Sequence, residues 1–256
     1  MDVDPTEPLA GRSERPSPAV SRPTATQRIV ALLEVLICSD YPTQAAIGAT
    51  FSRLGYGPFG ATGELRLGFV VGVSLIDTVV LVALIVFFLR THGERPREVF
   101  LGWRAIPREV MLGVWPLAIL ALVIGIGLMA VLQRFVPQLH TVTQNPLEAL
   151  LRTTRDRWLF GVVLVVAGGF REEVQRAFLL HRFEHWLGGA SVGLVIASVA
   201  FGAGHIVQGV DAAIVVGVLG AFWGFVYLRR RSVVAPVVSH SCFNLLEVVR
   251  FVTTGA

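Results

Sequence analysis

The chain carries several apolar runs of about 20 residues, the length that a helix needs to cross the hydrocarbon core of a bilayer. Leu67–Leu89 contains a single acidic residue, Asp77, and Val110–Gln133 contains no charged residue. Backbone N–H and C=O groups inside lipid must be hydrogen-bonded within the protein, and a helix pairs them within one segment. The sequence therefore predicts an all-α fold, a polytopic bundle of transmembrane helices.

The composition excludes several other classes of protein. Hydrophobic residues make up 54% of the chain and charged residues 16%, whereas a soluble globular domain has about 25% charged residues. The net charge of +4 is spread between apolar runs, so a nucleic-acid partner is not expected. The two cysteines, Cys38 and Cys242, lie far apart inside apolar stretches, which excludes a disulfide scaffold.

The apolar runs predict seven spans, preceded by a disordered cytoplasmic tail over residues 1–27 that is rich in Pro, Ser, Thr and Arg. Residues 28–256 then form one transmembrane domain. A short amphipathic helix at the membrane surface is predicted over Asn145–Thr154. The predicted spans are Ile29–Phe51, Leu67–Leu89, Val110–Gln133, Trp158–Leu180, Trp186–Val210, Ala212–Leu228 and Ser232–Val252.

The arginines orient these spans. With the N-terminal tail on the cytoplasmic side, the inside segments carry more arginines than the outside segments, as the positive-inside rule requires. All 22 basic residues are arginine, a bias typical of a GC-rich bacterial genome. We therefore expect an integral protein of the bacterial inner membrane with a cytoplasmic N-terminus.

Four ionisable residues interrupt the fourth predicted span about halfway along it: Arg171, Glu172, Glu173 and Arg176. Each would cost roughly 2.5–3.5 kcal/mol at the bilayer centre, so the four must be paired and turned towards the protein. Such residues are candidates for function. The alternative interpretation is an amphipathic helix at the membrane surface, broken at Gly168-Gly169, with its Arg and Glu side chains in water.

Two histidines lie in later predicted spans. His205 follows Phe201 by one helical turn, and His240 shares a helix face with Asn244, four residues further on. A lone histidine in a span is about as often a packing residue as a functional one. Two histidines and a carboxylate pair, in separate spans of one small protein, favour a single shared site.

These residue types can perform one kind of chemistry together. Two imidazoles and a carboxylate can hold and deprotonate a water molecule, with or without a divalent metal ion. Asn244 or His240 can stabilise an oxyanion in a site poor in water, and Arg176 can keep one of the glutamates ionised. The set predicts a hydrolase that cuts an amide bond at the membrane.

Two other classes of function stay open. A non-catalytic membrane scaffold or immunity factor can keep the same residues for helix packing. An ion-coupled transporter also buries Glu, Arg and His along its pathway, although the chain has no inverted repeat of the kind that such carriers carry. Asp77 and Glu34, isolated in earlier spans, are interpreted as packing or cavity-lining residues.

Over residues 150–250 the chain resembles the CPBP family, the CAAX proteases and bacteriocin-processing intramembrane proteases also called Abi. That family has three motifs on separate transmembrane helices: Glu-Glu-x-x-x-Arg, Phe-x-x-x-His and His-x-x-x-Asn/Asp. Phe201 to His205 fits the second motif, and His240 to Asn244 fits the third. The first departs from the pattern, because only two residues separate Glu173 from Arg176. If Arg176 is aligned with the arginine of the motif, Arg171 and Glu172 fall at the positions of the two glutamates. If Glu172 and Glu173 are aligned with the two glutamates, Arg176 comes one residue early.

The resemblance implies an endopeptidase of membrane-associated proteins or peptides, with its site inside the bilayer. Glu172, which belongs to the pair in either alignment, would activate water. His205 and His240 would position the water or bind a divalent metal such as zinc. Glu173, Arg176 and Asn244 complete the implied catalytic set. Eukaryotic members cleave prenylated CAAX tails, and for a bacterial protein we expect a substrate without a prenyl group.

Overall fold

Every regular element is helical in the computed structural model, which describes residues 23–143 and 145–254. Two π-helical segments and three 3₁₀ turns join the α-helices. The α-helices of these residues are α1 (Ala25–Ile37), α2 (Tyr41–Arg53), α3 (Leu67–Thr91), α4 (Pro96–Phe100), α5 (Ile106–Leu112), α6 (Ala118–Phe135), α7 (Thr154–Val163), α8 (Glu172–Trp186), α9 (Ala190–Gly204), α10 (Val210–Arg230) and α11 (Val234–Thr254). The all-α prediction is confirmed for this part of the chain.

Three helices are long and apolar enough to cross a membrane: α3, the continuous helix Ile106–Phe135 that contains α5 and α6, and α10. The pair α1 and α2, bent by 42° where they meet, adds a fourth span if it is counted as one broken helix. Length and composition of the described helices thus support three to four candidate spans, and the predicted seven are not confirmed.

The other predicted spans are shorter or more polar than expected. The apolar part of the fifth is α9, which has 15 residues and ends at Gly204. The fourth is part of a continuous helix, Thr154–Trp186, with charged residues at its start, middle and end. The predicted surface helix at Asn145–Thr154 is wrong, because that segment forms only a 3₁₀ turn at Glu148–Leu150. Leu150 and Leu151 are buried there, so the segment packs on the protein.

The first helix begins inside the predicted tail. Thr24 caps α1 by accepting a hydrogen bond from the backbone N–H of Gln27, whose side chain bonds back to Thr24. The α-helix therefore starts at Ala25, and residues 1–22 of the predicted tail lie outside the described residues.

Helix α8 lies in the protein interior, in contact with α1, α3, α9 and α10. Its apolar residues Val174, Ala177 and Phe178 join a core cluster with residues of α3 and α10. Glu173, Arg176 and Arg182 of this helix are buried and therefore face other helices.

Helices α9 and α10 approach each other closely through glycine. A Cβ atom on Gly202 would lie 2.6 Å from the carbonyl oxygen of Ala213 and 3.2 Å from the Cα atom of Gly217. Small residues at such contacts let two backbones pack together within a membrane. This packing fixes the position of Phe201, the neighbour of Gly202, relative to α10.

Candidate active site

The helix that carries the acidic pair changes its winding just before the pair. Residues Leu164–Arg171 are π-helical, and α8 begins at Glu172. Single π-helical turns inside α-helices occur frequently at functional sites. The helix continues through Gly168-Gly169, because the π-helical segment that contains them runs directly into α8. A Cβ atom on Gly169 would lie 2.0 Å from Ser241 Oγ, so glycine allows α11 to approach this segment.

Glu173 is the centre of a buried ion pair. Its Oε1 atom accepts hydrogen bonds from Arg176 Nη1 and, at 2.8 Å, from His240 Nδ1. Glu173, Arg176 and His240 are each less than 5% exposed. A carboxylate paired with a guanidinium accepts hydrogen bonds, so the proton of this His240 bond is on Nδ1 and the Nε2 atom faces the other side of the ring.

Aromatic rings enclose this pair. The ring of Trp223 stacks on that of His240, with 3.8 Å between centroids and 15° between planes. The Arg176 guanidinium lies over the ring of Phe201, 4.6 Å from its centroid. Trp223 Nε1 donates to Ser239 Oγ at 3.1 Å, which fixes the indole plane. Trp223 thus covers one face of the His240 ring, and Phe201 covers one face of the Arg176 guanidinium.

Two glycines of α10 make room for Arg176. A Cβ atom on Gly224 would lie 3.3 Å from Arg176 Cδ, and one on Gly220 would lie 2.8 Å from Phe201 Cδ1. A larger residue at either position would push Arg176 or Phe201 away from α10.

Glu172 differs from Glu173 in exposure and in partners. Its side chain is 14% exposed, and its Oε2 atom lies 3.9 Å from His240 Nε2. That separation is too long for a direct hydrogen bond and suits one bridging water. Its other oxygen, Oε1, accepts a bond of 3.3 Å from Arg171 Nη2. Of the two glutamates, Glu172 is the one with an oxygen open to a further ligand.

Arg171 joins three carboxylates from separate parts of the chain. Its Nη1 atom donates to Asp77 Oδ2 at 2.5 Å and to Asp40 Oδ1 at 2.7 Å, in addition to the bond to Glu172. Asp77 is fully buried in α3. Asp40 lies at the bend between α1 and α2 in a left-handed conformation, with φ of 80°. The bend in the broken helix therefore brings Asp40 to the site.

His205 and Asn244 lie at the edge of this group. His205 Nδ1 donates to the Phe201 carbonyl at 2.8 Å, which leaves its Nε2 atom free of that bond. The rings of His205 and Phe201 are 4.9 Å apart, and Phe201 separates His205 from His240. Asn244 Nδ2 reaches the Leu164 carbonyl at 3.5 Å. A Cβ atom on Gly168 would lie 2.7 Å from that amide nitrogen.

The structure thus joins Arg176, Glu173 and His240 by hydrogen bonds and places Glu172 Oε2 3.9 Å from His240 Nε2. His205 contacts this group through Phe201, and Asn244 lies one turn beyond His240. The burial of Arg171, Glu173 and Arg176 disagrees with the surface-helix alternative, in which these side chains are in water.

The described side chains of this site do not form a set of ligands that suits a divalent metal ion. Catalytic zinc sites use three protein ligands, and the described residues contain no group of three or more His, Cys, Asp or Glu side chains that could hold a metal ion. His240 Nδ1 is bonded to Glu173, and His205 is separated from His240 by Phe201. The arrangement therefore does not fit zinc bound by the two histidines.

Sequence reasoning missed three contributors to the site. Asp77, which the sequence indicates as a packing or cavity-lining residue, pairs with Arg171. The signal in the sequence is its isolation in a strongly apolar span. Asp40 had a weaker signal, because it lies in the first and most interrupted predicted span. Trp223 had no signal in the sequence, because its contact with His240 arises only when α10 packs against α11.

The fold and the site together define an integral membrane protein that buries acids, arginines and an imidazole between its helices. Residues 154–246 match the family model described as Rce1-like, type II CAAX prenyl endopeptidase Rce1-like. This match confirms the resemblance to the CAAX proteases over the segment that carries the three motifs. Proteins of that family are proteases, so the match points to a CAAX-type intramembrane protease. Comparison with curated proteins and with solved structures gives no match.

Proposed function

We propose that this protein is an intramembrane endopeptidase that hydrolyses a peptide bond of a membrane-associated protein or peptide. Glu172 is the general base, and His240 holds the attacking water. The observation that carries the proposal is the unequal surroundings of the two glutamates. Glu173 is buried and bonded to Arg176 and His240, whereas Glu172 keeps one oxygen facing His240 Nε2 at 3.9 Å.

The hydrogen bonds set the direction of proton transfer. Because His240 donates its Nδ1 proton to Glu173, a neutral His240 presents an acceptor at Nε2. A water between Glu172 and His240 then donates one hydrogen to each, and its lone pairs face away from both. Glu172 removes the proton as the water oxygen attacks the carbonyl carbon, and returns it to the amide nitrogen as the C–N bond breaks.

The remaining predicted residues support these two. Glu173 acts on His240 as the orienting carboxylate of a catalytic triad acts on its imidazole. Asn244 lies one helical turn beyond His240, and its Nδ2 group can donate a hydrogen bond to the oxyanion. His205 Nδ1 donates to the Phe201 carbonyl, so the Nε2 atom of a neutral His205 is an acceptor that can hold a water molecule. Arg171, held by Asp40 and Asp77, orients the Glu172 carboxylate through its 3.3 Å bond.

Glu172→Gln tests the assignment. Removing the base should lower the rate of peptide cleavage by about 100-fold or more, while the unfolding temperature stays near that of wild type because Glu172 forms no short bond. The measurement is cleavage of a membrane-peptide library by purified full-length protein in nanodiscs, followed by mass spectrometry. The library includes peptides with and without a prenylated C-terminal cysteine, and we expect cleavage of unprenylated members.

The matched control is Glu247→Gln, the same substitution in an exposed pair with Arg250 on α11. It should cleave as wild type does. Equal cleavage by Glu172→Gln and wild type would eliminate Glu172 as the base. A wild-type protein that cleaves no member would favour the non-catalytic scaffold.

A further inference from the structure

A cavity of about 1000 Å³ lies where three candidate spans end. Its walls include Gly93-Glu94-Arg95, just after α3, and Gly102-Trp103-Arg104, just before α5. Arg230 and Arg231, at the end of α10, form another wall. Since α3, the α5–α6 helix and α10 all terminate here, the cavity lies at the boundary between the hydrocarbon core and the aqueous phase. The site around Glu172 is separate, because none of its residues lines this cavity.

The lining is rich in groups that bind phosphate. Four arginines line the cavity, Arg95, Arg104, Arg230 and Arg231, together with His181 and His185. Guanidinium groups bind phosphate oxygens in a two-pronged geometry. The lining acids are Glu94 and Glu98. Glu94 is bonded to Arg182 and His181, which lowers the negative potential that it contributes.

Two of the arginines are available to a ligand. Arg104 is exposed, and among the described residues its side chain donates one hydrogen bond, from Nε to the Arg230 carbonyl. Its two Nη groups can therefore donate to a ligand. Arg95 pairs with Glu98 at 3.3 Å in a contact that is mostly exposed, a type of pair worth little in water. Arg230 and Arg231 are instead held by Glu109 and Glu184 and shape the opposite wall.

The aromatic neighbour indicates the source of the phosphate. Trp103 is 94% exposed and directly precedes Arg104. Exposed tryptophans at the ends of spans lie at the level of lipid headgroups. Basic pockets between transmembrane helices bind the headgroups of anionic lipids. A lipid can place its phosphate in the cavity and its glycerol and chains against Trp103, whereas a soluble phosphate would gain nothing from that ring.

We propose that this boundary cavity binds the phosphate of an anionic phospholipid headgroup through Arg95 and Arg104. The inference is independent of peptide cleavage, because it concerns residues that take no part in the Glu172 site.

Dihexanoyl phosphatidylglycerol, titrated into the full-length protein in an uncharged detergent, tests the proposal, with tryptophan fluorescence as the readout. We expect saturable binding that is much tighter than that of dihexanoyl phosphatidylcholine or inorganic phosphate. The double variant Arg95→Gln/Arg104→Gln should bind about 30-fold more weakly, roughly a factor of five for each arginine. Arg155→Gln is the matched control, an exposed arginine of α7 outside the cavity, and should bind as wild type does.

Glu98→Gln should raise the affinity for phosphatidylglycerol, a gain that misfolding would not produce. It removes a negative charge from the cavity and frees Arg95, so phosphatidylglycerol should bind more tightly. Equal binding by the double variant and wild type, or no preference over phosphatidylcholine, would overturn the proposal. Inorganic phosphate binding as tightly as the lipid would overturn the lipid as the ligand.

Discussion

Arg176 and Arg231 each form a hydrogen-bonded ion pair with a glutamate of α8, but the first pair is buried and the second is partly exposed. The side chains of Arg176 and Glu173 are 5% and 1% exposed, and those of Arg231 and Glu184 are 50% and 27% exposed. Water screens the exposed pair, so it contributes little to stability. Removing one partner of a buried pair leaves an uncompensated charge, which costs far more. The two ion pairs have the same chemistry, and their burial decides how much the loss of one partner lowers the stability of the fold.

Arg171→Met should produce the largest loss of stability. It leaves Asp40, Asp77 and Glu172 close together without their cation, and Asp77 is fully buried. We expect the free energy of unfolding to fall by about 3–5 kcal/mol, measured by denaturant unfolding in mixed micelles. Asp77→Leu combined with Arg171→Met should recover part of the loss, because it removes the most buried carboxylate. A double variant no more stable than the single one would contradict this electrostatic account.

Arg182→Met should have an intermediate effect, although Arg182 is itself fully buried. It bonds Glu34 at 2.5 Å and Glu94 at 2.6 Å, but each glutamate has a second partner. His92 lies 2.6 Å from Glu34 and His181 lies 2.9 Å from Glu94, so each glutamate keeps a hydrogen-bond partner when the guanidinium is removed. We expect a loss of about 2 kcal/mol in the same unfolding assay. A loss as large as that of Arg171→Met would mean that the histidines give no compensation.

Arg231→Gln should have the smallest effect, below about 1 kcal/mol, and the effect should depend on pH. A hydrogen bond from Arg231 outweighs partial burial and holds the pKa of Glu184 below its usual value. A carboxyl group with a lowered pKa in the folded state stabilises the fold above its unfolded pKa of about 4.3. That contribution is lost as the pH falls through the folded value.

Unfolding at pH 7 and pH 3 measures this dependence. The difference between wild type and Arg231→Gln should be present at pH 7 and shrink at pH 3. A difference that stays constant would show that Arg231 acts through packing instead of charge.

The sequence predicted the parts of this molecule that depend on local pattern. Long apolar runs predicted α3, the α5–α6 helix and α10, and the cost of charge in lipid predicted that Glu173 and Arg176 would be buried and paired. The span count depended on length alone, and length could not reveal that α9 stops at 15 residues.

The local sequence pattern could not predict which residues pair with the buried charges. Asp40, Asp77 and Arg171 are separated by up to 131 residues, and only the packed helices bring them together. The π-helical segment before Glu172 also gave no periodic signal, because residues 164–170 are all apolar and contain no polar position that would reveal a change in helical phase.

Arg171 and Arg182 draw most of their counter-ions from parts of the chain that precede the segment matched by the family model. Asp40 and Asp77 neutralise Arg171, and Glu34 neutralises Arg182, yet all three acids lie before residue 154. A fragment trimmed to residues 154–246 would therefore contain every motif residue, but Arg182 would lose both of its carboxylate partners and Arg171 would keep only Glu172. The early helices therefore belong to the electrostatic framework of the motif region, and we expect that region to be unstable when it is expressed alone.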